Sequence, residues 1–315
     1  MKLINQSAQY LPQQAGIEGI YKQIELCGRT SYLSWDKMTD DSAKKFVDML
    51  IKSKHGSVLE HGTVYLKMYS EGLFAQIKEI HTGRDYATNP YSKFTEKYDL
   101  ESLEHGGVGY YITTNLRVLQ ENGWLDDLQY LCEPTEFHEK RLTVKLTTSI
   151  DITREGNRNR VLSPTEESTR YCNYSKDKYN NSISITVPSW VSEEEIPTYK
   201  GLIGFANDIS NDRTDRWDAL DWWFFANLAC EKSYMMLLDK GWTPQQARKV
   251  LPLGTKSEIA YTAFESDWRN WLDKRLFGKT GTPHPDMLVL ANLIKQEFEK
   301  TGVWDGIMKY PSKYE

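Results

Sequence analysis

The sequence predicts an α+β fold: a single domain with a central, mostly antiparallel sheet, flanking helices and polar insertions. Some segments place apolar residues at helical spacing, and others alternate in polarity and are rich in β-branched residues. Among the 315 residues, no linker cleanly separates two units. We therefore expect one domain over 1–315, with insertions near 85–108 and 173–215.

The first half of the chain mixes the two patterns. Ile17, Ile20 and Ile24 share one helical face. Alternation between residues 63 and 69 is typical of a strand, whereas the weak periodicity after residue 85, with Gly, Pro and Tyr, indicates a loop. The predicted elements are helices over 16–27, 41–53, 71–81 and 110–121, a strand over 63–69 and a loop over 85–108.

The second half contains the strongest helical candidate, over 215–240. Gly241 follows it as a typical C-cap residue. Thr243 and Pro244 have the residue types favoured at the N-cap and first turn of the next helix. The other predicted elements are a strand over 142–152, a short helix near 153–160, a loop with a short strand over 173–190, and helices over 243–252, 265–276 and 284–300.

Composition argues against several classes of function. The 39 basic and 44 acidic residues give a net charge of -5, so the chain as a whole does not attract nucleic acid or anionic lipid. No apolar run approaches the roughly 20 residues that span a bilayer, and residues 1–14 lack a signal peptide's apolar core. The four scattered cysteines favour a reducing compartment and a structural role. We expect a cytoplasmic protein without nucleic-acid or membrane partners.

The motifs of several common sites are missing from the sequence. His55 and His61 lack HExxH spacing and a third ligand, so no metal site is predicted. The sequence has no GxGxxG motif and no P-loop, and no GxSxG motif surrounds Ser168. The aromatic run 222–225 is interpreted as helix core, with a subunit contact as the alternative.

Four arginines fall within 153–170, which reads TREGNRNRVLSPTEESTR. Guanidinium groups, hydroxyls and loop amides together suit a phosphate monoester. Arg158 and Arg160 would point to the same side of extended backbone and would diverge by roughly 200° on a helix. The charge pattern alone leaves two interpretations open, a phosphate site and a solvated loop with local ion pairs.

Three segments in a fixed order narrow this choice. They are Gly56-Ser57-Val58-Leu59-Glu60-His61-Gly62-Thr63, then Arg158-Asn159-Arg160 followed after seven residues by Ser168, then Ala247-Arg248-Lys249-Val250-Leu251-Pro252 with Arg275 downstream. In this order they resemble the flavin-dependent thymidylate synthase family, whose hallmark is Arg-His-Arg, seven residues and Ser. The resemblance covers about residues 20–300, with weaker similarities at 29–32 and 115–117.

The resemblance implies an enzyme, a methyltransferase that converts dUMP to dTMP. FAD is the implied cofactor. Methylenetetrahydrofolate, as donor of the one-carbon unit, and NADPH, as reductant of the flavin, are the implied co-substrates. The family also implies a homotetramer whose active sites lie between subunits.

Arg275 is the implied catalytic residue, because it matches the arginine that pairs with the uracil ring. A fixed cation there would favour the N3 anion and so increase electron density at C5. By its position alone, Arg275 could equally be a cation that complements a helix dipole. The implied dUMP-binding residues are Glu155, Arg158, Glu166, Glu167, Ser168, Thr169, Arg170, Arg248 and Arg275.

The resemblance also implies a set of flavin contacts. For His61, a satisfied buried histidine is the alternative. Asn159 replaces the hallmark histidine, and Phe264 stands where many members have asparagine. These departures motivate an alternative function, a diverged homologue that binds a pyrimidine nucleotide without turnover. The implied FAD-binding residues are His61, Thr63, Arg158, Asn159, Arg160, Glu166, Phe264 and Asn270.

Overall fold

The computed structural model describes residues 1–71, 84–99, 107–192, 194, 196 and 201–314. The strands are β1 (Lys2–Ile4), β2 (Ser7–Tyr10), β3 (Thr63–Glu71), β4 (Lys93–Asp99), β5 (Gly107–Asn115), β6 (Arg141–Ser149), β7 (Ser163–Glu166), β8 (Ser184–Thr186) and β9 (Lys256–Phe264). The helices are α1 (Gly16–Thr30), α2 (Ser42–Lys52), α3 (Leu116–Asn122), α4 (Ile150–Gly156), α5 (Leu202–Ser210), α6 (Ala219–Asp239), α7 (Pro244–Ala247), α8 (Glu265–Arg275), α9 (Pro285–Lys300) and α10 (Trp304–Met308).

The largest sheet is antiparallel, with the strand order β2-β6-β9-β7. Arg141 of β6 lies opposite Phe264 of β9, and Glu166 of β7 lies opposite Ile259. Strands β6 and β9 pack against α8 and α9, and both Trp268 and Phe298 of these helices are fully buried. The register places the end of β7 beside the beginning of β9, which is where the predicted substrate segment starts.

A second antiparallel sheet has the order β3-β5-β4. Helices α1 and α2 contribute Ile20, Ile24 and Val47 to a core shared with Leu66 and Ile112 of this sheet. The helical face predicted from Ile20 and Ile24 is therefore confirmed. A 3₁₀ turn over Gly56–His61 precedes β3, the first strand of this sheet in the sequence.

The remaining strands, β1 and β8, form a short parallel ladder. Phe205 of α5, Phe224 of α6 and Trp217 of the segment between these helices form a separate apolar cluster. Only part of the aromatic run 222–225 belongs to the core, because Phe224 is buried whereas Trp222 is 49% exposed. No helix in the described parts of the chain has the length and apolar character needed to cross a bilayer.

The α+β class with antiparallel sheets is confirmed, although the strands are divided among three sheets. The helices predicted over 16–27, 215–240, 265–276 and 284–300 are also confirmed, with ends that differ by a few residues. The organisation as one domain stays a prediction.

Two predictions about residues 85–121 are wrong. The predicted loop contains β4 and the beginning of β5, and the predicted helix is a strand up to Asn115. Residues 110–115 (YYITTN) are buried on both faces, because β5 is the central strand of its sheet. An uninterrupted buried run has no alternation that would distinguish a strand from a helix. The helix begins only at Leu116, where the Asn115 side chain accepts a hydrogen bond from the Val118 N–H.

Several other boundaries differ from the prediction. The strand predicted over 142–152 ends at Ser149, so the helix expected near 153–160 occupies 150–156 and Arg158 and Arg160 lie in the following turn. The helix predicted over 243–252 shortens to α7 and a 3₁₀ turn over Arg248–Val250. Of the helix predicted over 71–81, Glu71 belongs to β3, and residues 72–81 lie outside the described part of the chain.

Gly156, at the end of α4, packs directly against Tyr261. A Cβ atom at this position would lie 2.6 Å from the Tyr261 hydroxyl oxygen. That hydroxyl donates a hydrogen bond to the Asn157 side-chain oxygen at 2.9 Å. The close approach of Tyr261 therefore favours glycine at this position.

We predict that Gly156→Ala lowers the free energy of unfolding by about 1–3 kcal/mol through overpacking. The loss should be smaller in a Tyr261→Phe background, which lacks the nearest oxygen. Urea denaturation of the four proteins measures this coupling. Gly201→Ala is the control, because no atom of the described residues lies within 4 Å of its added Cβ. Equal losses in both backgrounds would contradict the account.

Candidate active site

Helix α4 connects the arginine cluster to the end of α8. The Arg275 guanidinium donates to the backbone oxygen of Glu155 at 2.7 Å and to the Glu155 carboxylate at 3.3 Å. Both side chains remain partly exposed. The two residues are 120 positions apart in sequence, so the fold brings together an implied catalytic arginine and an implied nucleotide contact.

The carboxylate of Glu166 holds the end of β7 in place through hydrogen bonds. One of its oxygens accepts hydrogen bonds from the Thr153 hydroxyl of α4 at 2.7 Å and from the Ser257 hydroxyl of β9 at 2.8 Å. These two bonds join α4, β7 and β9 at one point. Any ligand held by Glu155 and by the residues after Glu166 would therefore meet a rigid framework.

The next residue, Glu167, forms a buried ion pair. Its carboxylate accepts hydrogen bonds from the Lys256 ammonium and from the Tyr174 hydroxyl, each at 2.8 Å. Burial raises the pKa of the Glu167 carboxyl, although the lysine opposes that shift. Burial lowers the pKa of Lys256, but the carboxylates of Glu167 and Glu258 outweigh this effect, so its pKa is raised and the lysine stays charged.

Ser168 and Thr169 follow directly and meet two other predicted segments. The Ser168 N–H donates to the Ser31 carbonyl at 2.9 Å, which places the weaker similarity at 29–32 beside the hallmark serine. The Thr169 hydroxyl accepts a hydrogen bond from the exposed Arg248 guanidinium at 3.2 Å. The loop after β7 is thus in contact with segments far away in sequence.

All four arginines of the cluster reach solvent, including Arg154 in the last turn of α4. Arg158, Arg160 and Arg170 are exposed, and none of them forms a hydrogen bond or ion pair with a described residue. Arg170 lies over the Tyr171 ring, with 5.3 Å between the guanidinium carbon and the ring centre. The interpretation as a loop with local ion pairs is therefore not supported for these side chains. Their donors remain available to an anionic ligand or a neighbouring subunit.

Asn159 contrasts with its exposed neighbours, because it is buried. Its side-chain oxygen accepts a long hydrogen bond, 3.5 Å, from the Asn270 amide, whose own oxygen accepts one from the Tyr314 hydroxyl at 3.2 Å. The Asn159 amide nitrogen is buried and has no hydrogen-bond partner among the described residues. An unpaired buried donor costs about 1–3 kcal/mol, so an acceptor on a ligand would stabilise this arrangement.

Phe264, at the end of β9, has two cations close to its ring. The Lys93 ammonium and the Arg141 guanidinium lie 5.3 Å and 5.4 Å from its ring centre. Phe264 and Arg160 also line one small cavity with Arg141. Burial lowers the pKa of Arg141 to about 10, while the nearby Glu60 opposes that shift.

His61 is fully buried, and both of its ring nitrogens have partners. The Thr262 and Thr165 hydroxyls lie 2.7 Å and 2.8 Å from them. Burial, together with Arg141, lowers the pKa of His61 to about 3, so the ring is neutral at physiological pH. This geometry favours the satisfied buried histidine. Thr63 is likewise buried, and its backbone exchanges two hydrogen bonds with the Gln13 side chain.

These residues form a row that is linked partly by contacts and partly by the chain. Arg275 contacts Glu155 of α4, and α4 is bonded through Thr153 to Glu166 at the end of β7. Thr169, three residues after Glu166, contacts Arg248. Asn159 and Asn270 contact each other, whereas Phe264, His61 and Thr63 form no hydrogen bond with the side chains of this row in the described part of the chain. The binding roles assigned to all these residues stay predictions.

The polar residues that form hydrogen bonds with Glu167 were not identified from the sequence. These are above all Lys256, Glu258 and Tyr174. A signal for two of them exists, because Lys256 and Glu258 lie two positions apart in a strand, KSEIAYTAF, whose other residues are uncharged. Side chains at this spacing share one face. Tyr174 lies in a loop, and no pattern in the sequence marks it.

Comparison with known proteins identifies a related family. Residues 115–301, more than half of the chain, match the family described as thymidylate synthase complementing protein. That range contains every implied site residue except His61 and Thr63. No curated protein sequence matches the chain.

Two solved structures of a UMP/dUMP methylase, PolB from Streptomyces cacaoi, match this chain over nearly its whole length. The complex with 5-Br dUMP is 16% identical, with a TM-score of 0.42, 98% of this chain covered and 97% of that one. The complex with 5-Br UMP is 15% identical, with a TM-score of 0.44, 98% of this chain covered and 96% of that one.

We predict a pH dependence of stability from His61. Its pKa falls from 6.5 in the unfolded chain to about 3 in the fold. Between these values the unfolded state binds a proton that the folded state does not, so stability is lost as the pH falls. The total loss should be about 3–5 kcal/mol. Urea unfolding between pH 7 and pH 4 measures it.

His61→Gln should unfold more easily than the wild type at pH 7, and the difference should shrink as the pH is lowered. The exposed His55 provides the control variant His55→Gln, which should follow the wild-type profile. A difference between His61→Gln and wild type that is constant over this range would show that His61 is not protonated on unfolding.

Proposed function

This chain belongs to the family of thymidylate synthase complementing proteins, the flavin-dependent thymidylate synthases, and we propose that it is an enzyme that methylates dUMP to dTMP. The row from Arg275 to Arg248 carries this proposal. It joins residues whose family counterparts contact the nucleotide, although they are spread over more than 100 positions of the sequence.

Residues 168–170 and Arg248 would hold the phosphate of dUMP. Arg170 is exposed and unpaired among the described residues, and Arg248 uses one donor on Thr169. Ser168 and Thr169 add hydroxyl groups at the same loop. Two guanidinium groups and two hydroxyls supply the charge-assisted hydrogen bonds that a phosphate monoester requires.

Arg275 would act on the uracil ring. Its guanidinium has five N–H donors, and the contacts with Glu155 use two of them. The remaining donors can stabilise negative charge at N3 and O4, which raises the nucleophilicity of C5 without a covalent enzyme nucleophile. Glu155 would fix the direction of the guanidinium and would itself contact the nucleotide.

The residues near α4 fit FAD. The unpaired guanidinium groups of Arg158 and Arg160 suit the flavin and nucleotide phosphates, and the buried Asn159 amide nitrogen lacks an acceptor that a flavin carbonyl could supply. His61, Thr63, Glu166, Phe264 and Asn270 complete the proposed flavin-binding set. When bound, the flavin supplies the redox chemistry for one-carbon transfer.

The proposed co-substrates are methylenetetrahydrofolate as carbon donor and NADPH as reductant. We also propose a cytoplasmic homotetramer with active sites between subunits. Guanidinium groups without partners among the described residues, at 158, 160 and 170, suit ligands that are shared with a neighbouring subunit. The proposed partners are small molecules, with no nucleic acid and no membrane.

A second candidate function is binding of a pyrimidine nucleotide without turnover. Phe264 favours it, because an apolar ring close to Lys93 and Arg141 replaces the hydrogen-bonding amide common in the family. Asn159 also lacks a titratable ring. Oxidation of NADPH in the presence of dUMP and methylenetetrahydrofolate separates the two functions.

We predict that the chain, supplied with FAD, NADPH, methylenetetrahydrofolate and dUMP, forms dTMP. Arg275→Ala should lower kcat by a factor of about 10²–10³, which is typical for the loss of one stabilising donor. Without the guanidinium group, no cation compensates the N3 anion. The free energy of unfolding should fall by less than about 1 kcal/mol, since the pair with Glu155 is partly exposed.

The assay measures dTMP by chromatography and NADPH by absorbance. Arg216→Ala, at an exposed arginine outside the row, is the matched control and should keep full activity. Full activity in Arg275→Ala would remove the proposed catalytic role. Absence of dTMP and of NADPH oxidation in the wild type, with dUMP still bound, would favour the second candidate function.

We predict that Arg158→Lys weakens FAD binding about tenfold or more, because an ammonium cannot form the paired hydrogen bonds of a guanidinium with phosphate. Stability should not change, because Arg158 is exposed and has no partner among the described residues. Flavin fluorescence quenching measures the dissociation constant, and Arg216→Lys is the control. An unchanged dissociation constant would place the phosphates elsewhere.

A further inference from the structure

Helix α6 has apolar residues on its outer face as well as on the face that packs into the fold. Phe224, Leu228 and Tyr234 are buried on the inner face. Trp222 and Met236 lie on the opposite side of the helix and are 49% and 36% exposed. A helix at the surface of a globular protein normally turns charged and polar residues outward, and a helix that is apolar on all sides is usually buried. The outer face of α6 therefore suits contact with a partner.

This outer face is a continuous stripe along the helix. Its members are Trp222, Ala226, Ala229, Ser233 and Met236. They are spaced alternately by four and three positions, which is the repeat that lines the seam between two paired helices. None of the five is charged, and four of them are exposed while Ala229 is half-buried. Because the residues in the middle of the stripe are small, a second helix can approach α6 closely.

The one polar member of the stripe, Ser233, needs no hydrogen bond from a partner. Its hydroxyl donates to the Ala229 carbonyl, one turn earlier in the helix, at 2.7 Å. Burial of a hydroxyl is costly chiefly when the group has no hydrogen bond. An apolar surface can therefore cover the whole stripe without leaving a polar side-chain group unsatisfied.

The stripe is symmetric about Ala229. Trp222 and Met236 lie seven positions before and after it, and the two cap residues of the helix, Asp218 and Lys240, lie eleven positions before and after it. Contacts across a two-fold axis require a self-complementary surface of this kind. An antiparallel pair of α6 helices with its axis near Ala229 would place Trp222 against the partner's Met236. It would also place Asp218 against the partner's Lys240.

The charges at the two ends of α6 favour this antiparallel arrangement. Asp218 is exposed, and one of its carboxylate oxygens accepts a hydrogen bond from the Asp221 N–H at 2.9 Å. The Lys240 ammonium lies 3.7 Å from the Asp239 carboxylate, and both side chains are largely exposed. Such a pair contributes little, so the ammonium can also meet a carboxylate of a partner. A parallel pair would instead oppose acid to acid and base to base, and it would align the two helix dipoles.

We propose that the outer face of α6 is an interface between two copies of this chain, paired antiparallel about a two-fold axis near Ala229. Within the aromatic run 222–225, this assigns Phe224 to the core and Trp222 to a subunit contact. The arginine cluster is not part of this face. The proposal therefore depends neither on the reaction proposed for the chain nor on active sites shared between subunits.

Sedimentation velocity of the full chain measures the assembly. The wild type should sediment as an assembly with an even number of copies, and Ala229→Glu as one with half as many. The substitution should raise the dissociation constant at this interface at least about a hundredfold, because it places two like charges beside the two-fold axis. Asn292→Glu, at an exposed position in the middle of α9, is the matched control and should assemble as the wild type does.

Disulfide cross-linking tests the position of the axis. In a Cys230→Ser background, the thiols of two Ala229→Cys chains would lie on either side of the axis, within reach of a disulfide, so mild oxidation should link the two copies. Ser233→Cys in the same background is the matched control. An antiparallel pair keeps its two thiols apart, whereas a parallel pair would bring them together, so this variant should not be linked.

Circular dichroism verifies that Ala229→Glu is folded. If it is not, Lys240→Glu decides; it should raise the dissociation constant about three- to tenfold, because it repels the partner's Asp218. The proposal is overturned if the wild type is a monomer, if the folded interface variant assembles as the wild type does, or if Ser233→Cys is linked and Ala229→Cys is not. Flotation of a monomeric wild type with vesicles of anionic phospholipid would identify a membrane contact and would also overturn it.

Discussion

The carboxylates of Glu166 and Glu167 fix the end of β7, and the geometry of the proposed site depends on them. Glu166 joins α4 to β9 through the hydroxyls of Thr153 and Ser257, while Glu167 forms a buried ion pair with Lys256. Removing one partner of a buried pair typically costs about 3–5 kcal/mol, so the strand end has one favourable position. The position of the strand end also fixes where the following loop, residues 168–170, begins.

The end of the short helix α4 separates residues with two different proposed roles. Its last turn presents Glu155 to Arg275, which lies at the end of α8. The turn after it exposes Arg158 and Arg160 while Asn159 is buried between them. The packing of Gly156 against Tyr261 sets the distance between the helix and the sheet. A charged loop without this support would have to be ordered by the ligand, at a cost in binding energy.

The sequence was informative where a pattern has one physical meaning. The helical face of Ile20 and Ile24, and the order of the arginine-bearing segments, led to a correct helix and to the correct family. It was uninformative for β5, because a strand buried on both faces has no alternation. It also gave no sign of Tyr174, since a loop residue that completes an ion pair is defined only by the tertiary contacts of Glu167.

The central claim is that Glu155, residues 166–170, Arg248 and Arg275 form one nucleotide site. Hydrogen–deuterium exchange of the protein with and without dUMP tests it most directly, because it reports every backbone segment at once. If these residues form one site, dUMP slows exchange in the peptides around 155–170, 248 and 275 and causes no change in α5. Protection confined to one of these segments, or found only elsewhere, would contradict it.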